Sequence, residues 1–173
     1  AFELMATSSN LSAEQRLKII DFVGKAAGLE GMVGGQFIDI ESTDSKMSLQ
    51  ELKSMHALKT GALLQASAVI GGVAASASKE ELVYLEEFGS HIGLAFQVTD
   101  DILDAVGTSK TLGKTPGKDA EKNKSTYVTF LGIEEAKRIA LTSLERALIA
   151  LAPFGSSAHS LRELARLIVE RSN

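Results

Sequence analysis

The pattern of apolar residues along this chain is helical almost from end to end, and this excludes most other fold classes. The 173 residues include only two prolines, Pro116 and Pro153, and the apolar–polar alternation typical of strands is nearly absent. A serine followed three residues later by Glu or Gln, which is the capping-box pattern, occurs at Ser12, Ser48 and Ser78. We therefore predict an all-α fold, an antiparallel helical bundle. The predicted helices are 1–7, about 13–40, 49–75, 79–106, 126–151 and 158–171.

Glycines predict where two of these helices bend or end. Gly31, Gly34 and Gly35 predict a bend within 13–40 and a close crossing of helices there. Gly107 predicts the C-terminal end of the 79–106 helix. The connection that follows, 107–124, is long, and long connections in compact domains are usually functional or disordered.

Composition narrows the class of protein further. A formal net charge of −4 argues against a general nucleic-acid binder, and the absence of cysteine excludes disulfides and thiolate metal sites and fits a cytoplasmic protein. The stretch Thr60–Ser78 carries no charge, but Ala, Gly and Ser dominate it. Small residues suit a buried bundle helix better than a membrane span, so we expect no span.

Three carboxylates interrupt the apolar stretch "AFQVTDDILDAVG", which runs from Ala95 to Gly107. On a helix Asp100, Asp101 and Asp104 share a face, and that face lies near the negative end of the helix dipole if Gly107 ends the helix. A divalent cation such as Mg²⁺ would neutralise them. The alternative is a solvated acidic end of a helix.

The next connection is rich in lysine. It carries Lys110, Lys114, Lys118, Lys122 and Lys124 but few acids. Lysine binds phosphate well, so carboxylates followed by this connection favour chemistry that uses Mg²⁺ and a diphosphate. The alternative is a flexible, solvated basic loop.

Four segments, in order, resemble the motifs of the trans-isoprenyl diphosphate synthases. "GLAFQVTDDILD" resembles the second aspartate-rich motif of that family. "GMVGGQFIDIE" resembles its Gly-Gly-Gln segment, and "HALKTGALL" resembles its Lys-Thr segment. "LGKTPGKDAEKNKSTY" resembles its loop of diphosphate-binding lysines. The resemblance covers essentially the whole chain. Within the family, the chain most resembles the bacterial farnesyl diphosphate synthases.

The resemblance implies a fold, a reaction and partners. Residues 1–173 would be the C-terminal part of a single isoprenoid synthase domain, and the protein would be a cytoplasmic homodimer. Its reaction would be the Mg²⁺-dependent condensation of an allylic diphosphate, dimethylallyl or geranyl, with isopentenyl diphosphate to give farnesyl diphosphate.

The resemblance also implies the catalytic and diphosphate-binding residues. Lys59, Lys114 and Lys124 would bind the allylic diphosphate. Thr60 and Gln97 would line the developing allylic cation, where a hydroxyl or amide dipole stabilises positive charge without trapping it.

The metal ligands follow from the same motif. Asp100 and Asp104 would bind Mg²⁺, and Asp101 would act more weakly or through water. Three further residues would belong to the pocket: Phe96, Gln36 and Asp39.

The sequence departs from the family in its N-terminal part. The first aspartate-rich motif and the segment that binds isopentenyl diphosphate precede, in the family, the point where this chain begins, and Ala1 is not an initiating methionine. Val128 stands where many members have proline. We therefore expect the chain to be part of a longer protein whose N-terminal helices are missing here, and to be inactive by itself.

Several alternatives remain open at this point. The protein could be a geranylgeranyl diphosphate synthase, a terpene cyclase of the same fold, a non-catalytic prenyltransferase-like binding subunit or a helical interaction module. His56 is predicted to lie at the surface. Five arginines are predicted to be ordinary exposed charges: Arg138, Arg146, Arg162, Arg166 and Arg171.

Overall fold

The computed structural model describes residues 2–42, 47–111 and 125–171, with the side chains of all of these except 108–111. These ranges contain helices and no strand, so the all-α prediction is confirmed. The α-helices are α1 Phe2–Thr7, α2 Ala13–Ala27, α3 Met32–Glu41, α4 Leu49–His56, α5 Ala62–Ala74, α6 Lys79–Thr111, α7 Tyr127–Leu131, α8 Ile133–Ala150 and α9 His159–Glu170. A π-helical segment, Ala57–Gly61, joins α4 to α5, and a 3-10 segment, Ala152–Ala158, joins α8 to α9.

The three predicted capping boxes are present at helix N-termini. At the start of α2, the Gln15 amide donates to Ser12 Oγ at 3.1 Å, and the Ser12 amide donates to Gln15 Oε1 at 2.9 Å. The same reciprocal pair forms at the starts of α4 and α6, between Ser48 and Glu51 and between Ser78 and Glu81. Each box satisfies two backbone donors that the first helical turn leaves free, and this fixes where the helix begins.

The predicted bend in 13–40 is a break between α2 and α3. A Cβ at Gly31 would lie 2.1 Å from the carbonyl oxygen of Ala26, so only glycine allows the chain to turn back at this point. The predicted helix 49–75 is continuous through the π-helical segment. Both predictions describe the path of the chain correctly.

Two predictions, the continuity of one helix and the end of another, are wrong. The 126–151 helix is split at Gly132, whose φ of 81° is in the left-handed region and separates α7 from α8. Helix α6 does not end at Gly107 but continues to Thr111. A glycine ends a helix when it adopts the left-handed conformation, and the described glycines with positive φ are Gly132 and Gly155. Asp104 therefore lies about two turns before the end of α6, and the argument from the helix dipole loses its force.

Helix α6 is the central element of the bundle. One apolar cluster joins it to α8 and α9 through Phe88, Leu144 and Ala165. A second joins it to α4 and α7 through Val98, Leu52 and Tyr127. Against α5 the contact is close, because a Cβ at Gly89 would lie 2.5 Å from the Cα of Gln65. Helix α6 thus holds side chains from α5, α7 and α9 around itself.

The run Leu49–Ala74 is long and apolar enough to cross a membrane by length and composition. A core helix passes the same test, and here α5 packs between α2 and α6 with Ala66, Val69 and Val73 buried. Of the 18 most apolar consecutive residues of this run, 22% are buried within the part of the chain that the structure describes. Helix α8 and the segment from Ala152 to Glu170 meet at 88° and would pass the test only as a bent pair.

Candidate functional site

The π-helical segment presents Lys59 and Thr60 between α3 and α6. Gly35 of α3 packs against it so closely that a Cβ there would lie 2.2 Å from the backbone nitrogen of Lys59. Single π-helical turns often mark functional sites because they alter the direction of neighbouring side chains. This turn therefore fixes the directions of Lys59 and Thr60, the two residues of the segment that the sequence predicted to be functional.

Lys59 forms an ion pair with Asp39. Its Nζ lies 2.6 Å from Asp39 Oδ2, and both side chains are about one-third exposed, at 34% and 29%. The structure thus brings together Lys59 and Asp39 across α3 and the π-helical segment. Gln36 lies one turn before Asp39 on the same helix and is partly buried.

Thr60 and Gln97 also meet. The Thr60 hydroxyl donates to Gln97 Oε1 at 3.3 Å, and Gln97 Nε2 donates to Asp101 Oδ1, also at 3.3 Å. The other oxygen of Asp101 accepts the backbone N–H of Tyr127 at 2.8 Å. A chain of hydrogen bonds therefore runs from the π-helical segment through α6 to the first residue of α7.

Asp101 is a buried acceptor within that chain. It is 5% exposed, and its oxygens receive bonds from Gln97 and from the Tyr127 amide. Because Asp101 lies three residues before Asp104, the sequence predicted that both would share one helix face with Asp100 in a single carboxylate cluster. In the structure Asp101 is directed to α7 instead, and this contact with the backbone of a residue far along the chain had no signal in the sequence.

Asp100 forms an ion pair with Arg171, the residue that follows α9. The prediction that Arg171 is an ordinary exposed charge is wrong, since its side chain is 31% exposed and its guanidinium lies 4.5 Å from the centre of the Phe96 ring. An arginine thus pairs with Asp100, one of the three carboxylates for which the sequence predicted a divalent cation. Arg171 was missed because helix spacing cannot reveal a contact between two distant helices.

Burial raises the pKa of Asp100 above its ordinary value, even beside Arg171. Desolvation disfavours the carboxylate most, the guanidinium opposes this, and the nearby charge of Asp104 adds to it. Asp100 therefore lies in a setting that favours additional positive charge.

Asp100 is half-buried and Asp104 is exposed, and the two residues lie one turn apart on α6. Among the residues with described side chains, no group of three or more His, Cys, Asp or Glu is arranged to hold a metal. Mg²⁺ commonly uses one or two carboxylates and completes its shell with water and substrate phosphates. The pair fits a magnesium site of that kind.

The two lysines of the connection after α6 lie outside the described residues. Lys114 and Lys124 were predicted to bind a diphosphate, and that prediction stays untested.

A cavity of about 540 Å³ is lined by residues of α4, the π-helical segment, α5, α6, α7 and α8. Gln97 lines it, together with the basic residues Lys53 and Arg146. His56 also lines it but is 7% exposed, so the prediction of a surface histidine is wrong. The ring of His56 lies 5.7 Å from that of Tyr127, which closes the cavity beside Gln97.

The sequence profile described as Polyprenyl synthetase matches residues 1–150. The chain belongs to this family. It is 38% identical to the farnesyl diphosphate synthase of Bacillus subtilis (strain 168) over 175 residues, which cover 100% of this chain and 59% of the relative. It is also 38% identical to the geranylgeranyl diphosphate synthase of Cyanophora paradoxa over 175 residues, covering 100% of this chain and 58% of that protein.

Solved structures of the same fold agree with this assignment. A putative farnesyl-diphosphate synthase from Marinomonas sp. MED121 superposes with a TM-score of 0.83 and 35% identity, covering 97% of this chain and 57% of that one. A geranyltransferase from Helicobacter pylori, complexed with magnesium and isoprenyl diphosphate, gives a TM-score of 0.76 and 30% identity, with coverage of 98% and 55%. The polyprenyl synthetase chain described here thus has the isoprenoid synthase bundle and spans little more than half the length of the relatives it matches.

Proposed function

We propose that the protein containing this chain is a trans-prenyltransferase that condenses an allylic diphosphate with isopentenyl diphosphate. The observation that carries the proposal is the hydrogen bond between Thr60 and Gln97 in a chain of the polyprenyl synthetase family. Gln97 precedes Asp100 and Asp104 on α6. These residues combine neutral dipoles with carboxylates, which is what the formation of an allylic cation from a diphosphate ester requires.

The carboxylates Asp100 and Asp104 would hold magnesium, in agreement with the magnesium found in the Helicobacter pylori relative. When bound, Mg²⁺ supplies positive charge to the departing diphosphate. Asp101 would keep Gln97 in place, because it accepts from the Gln97 amide and is itself fixed by the Tyr127 N–H. Residues 1–173 would be the C-terminal part of a single domain.

The lysines would bind the diphosphate of the allylic substrate. Lys59 is partly exposed, and Asp39 holds its ammonium group between α3 and α6. Lys114 and Lys124 would add two further ammonium groups from the connection after α6. Ammonium groups bind phosphate oxygens without a fixed geometry, so they can follow the diphosphate as its bond to the prenyl group breaks.

Thr60 and Gln97 would face the allylic cation. The Gln97 carbonyl oxygen accepts from Thr60, so the two polar groups are oriented before substrate binds. An oriented dipole costs little reorganisation when charge develops beside it. Neither group is a strong nucleophile, so the cation would survive until the double bond of isopentenyl diphosphate attacks it. Phe96 and Gln36 would complete the walls of the reacting space.

We propose farnesyl diphosphate as the product. Relatives named for farnesyl and for geranylgeranyl synthesis are equally similar to this chain, so geranylgeranyl diphosphate is the second candidate. The name of the Marinomonas structure favours farnesyl diphosphate.

The protein would act in the cytoplasm as a homodimer. Large apolar side chains are exposed along α2 and α3, including Leu17 at 69% and Phe37 at 62%. Exposed apolar surface of this extent is typical of a surface that another part of the protein or a second copy covers. A 173-residue chain alone would be inactive, because it supplies only part of the site.

The test uses the full-length protein with geranyl diphosphate and isopentenyl diphosphate. Product should form with Mg²⁺ and not with EDTA. Asp100→Ala should lower kcat at least about 100-fold with unchanged helicity, because a group that stabilises transition-state charge is lost. Asp21→Ala, which changes an exposed acid of α2 paired with Lys25, should leave kcat unchanged. Near-normal turnover by Asp100→Ala would remove the site from the proposal.

A further inference from the structure

Arg171 is held in place by three groups of α6. Its guanidinium forms an ion pair with Asp100, approaches the carbonyl oxygen of Phe96 at 3.5 Å and lies over the Phe96 ring at 4.5 Å. The backbone N–H of Arg171 donates to Leu167 and continues the last turn of α9. This side chain therefore ties the C-terminal end of α9 to α6, in addition to the apolar cluster that joins the two helices.

The tie uses an oxygen that a metal would need. Arg171 Nη2 contacts Asp100 Oδ1, and the side chain of Asp100 is only 36% exposed. A guanidinium and a divalent cation on the same partly buried carboxylate repel each other. Asp104, one turn further along α6, would draw a metal to the same side of the helix.

The guanidinium is also imperfectly satisfied where it lies. Arg171 Nε is buried and has no hydrogen-bond partner among the described residues. A buried donor without a partner carries a desolvation cost, and this cost offsets part of the attraction of Asp100.

We propose that Arg171 is the counter-ion of Asp100 in the metal-free protein and leaves it when Mg²⁺ binds, so that the end of α9 moves as the site is loaded. The proposal rests on the proposed function, because it requires a metal at Asp100. Arg171 is a positioning residue in this account. Since coupling is reciprocal, the ion pair weakens metal binding by the same factor by which metal weakens the ion pair.

The experiment compares the thermal unfolding of full-length wild type and Arg171→Gln in EDTA and in saturating Mg²⁺, with NaCl added to equalise ionic strength. In EDTA the variant should unfold about 2 °C lower, because it lacks the ion pair. In Mg²⁺ the difference should vanish, because the wild type has already given up the pair. Arg166→Gln is the matched control, since Arg166 lies on the same helix and pairs with the exposed Glu163. It should show the same small shift in both conditions.

Two further readouts separate the outcomes. Calorimetric titration with Mg²⁺ should show about 5-fold tighter binding to Arg171→Gln than to wild type. In wild type, Mg²⁺ should accelerate hydrogen exchange of the amides in the last turn of α9, and this arm needs no variant. If Arg171→Gln does not fold, Arg171→Lys takes its place. Lysine keeps the charge but cannot stack on Phe96 in the same way, so its unfolding temperature should lie below that of wild type in EDTA, by less than expected for Arg171→Gln, and should equal it in Mg²⁺.

A loss of stability that is equal in EDTA and in Mg²⁺, while calorimetry shows Mg²⁺ bound, would overturn this inference and leave the proposed function intact. An absence of Mg²⁺ binding to wild type, with and without inorganic diphosphate, would instead overturn the proposed function and this inference together.

Discussion

Gly35 of α3 lies against the backbone of Lys59 with no room for a side chain. A Cβ built on Gly35 would be 2.2 Å from the Lys59 nitrogen and 2.6 Å from its Cα. Both obstructing atoms belong to the backbone of the π-helical segment, so a rotamer change cannot relieve the overlap. The placement of Lys59 therefore depends on a glycine on a different helix.

Gly35→Ala should separate α3 from the π-helical segment and destabilise the protein by about 1–3 kcal/mol, the usual cost of overpacking. Urea unfolding measures this loss. The matched control is Gly24→Ala in α2, where a Cβ would meet nothing within 4 Å. The control should stabilise the protein by about 0.5–1 kcal/mol, because alanine is the better helix former. Equal stability of the two variants would contradict the packing described here.

Asp101→Ala should destabilise the protein by about 1–3 kcal/mol, because it leaves the buried N–H of Tyr127 without its acceptor. Asp101→Asn retains one acceptor oxygen and should lose less. Chemical denaturation of the three proteins gives the comparison. Asp21→Ala, at an exposed i, i+4 pair with Lys25, should change the free energy of unfolding by less than about 0.5 kcal/mol. A loss as small for Asp101→Ala would show that the contact with α7 is unimportant.

Tyr127→Phe should be neutral or slightly stabilising. The ring is fully buried, and its Oη has no hydrogen-bond partner among the described residues, while burial raises the pKa of the phenol to about 12. Removing a buried polar group without a partner removes its desolvation cost. Tyr127→Ala, which deletes the ring as well, should cost about 3–5 kcal/mol. A clear loss for Tyr127→Phe would reveal a partner for the hydroxyl.

His91 should make stability fall at mildly acidic pH. Burial lowers the pKa of His91, the charge of Arg146 lowers it further, and Glu87 opposes both. The His91 imidazole therefore binds a proton less tightly in the folded state than in the unfolded state, where its pKa is about 6.5. The stability that the neutral imidazole contributes is present above that value and is lost as the pH falls through the lower folded pKa.

Unfolding free energies at about pH 7.5 and about pH 5.5 test this prediction, because the two values bracket the titration of an ordinary histidine. His91→Gln should lose less stability between them than wild type. Arg146→Gln should lie between the two, since it removes one cause of the lowered pKa. An unchanged pH dependence in His91→Gln would assign the effect to other groups.

Features of the fold that are encoded locally could be predicted. Ser12 with Gln15, and Ser48 with Glu51, are complete within four residues, and each helix begins where its box does. The break near Gly31 was predicted because glycine has no side chain to obstruct a turn of the backbone, and a glycine is identified directly from the sequence. The continuation of α6 past Gly107 and the break at Gly132 were not predicted, because composition does not reveal which glycine adopts a positive φ.

The site was predictable as a set of residues but not as a set of contacts. The Lys-Thr and Gln-Val-Thr-Asp-Asp patterns identified Thr60 and Gln97, which the structure brings together. Pairs such as Asp100 with Arg171 and Asp101 with Tyr127 join helices that are adjacent only after folding. Periodicity fixes which face of a helix a residue occupies and contains no information about which distant helix will cover that face.

The π-helical segment Ala57–Gly61 has a consequence for how this sequence can change in evolution. Its wider turn holds one residue more than an α-helical turn, so it sets the rotational phase of every residue after it. Deleting that residue would rotate α5 by about 100° and carry Ala66 and Val73 off the face they now bury. Insertions and deletions should therefore be much rarer here than substitutions.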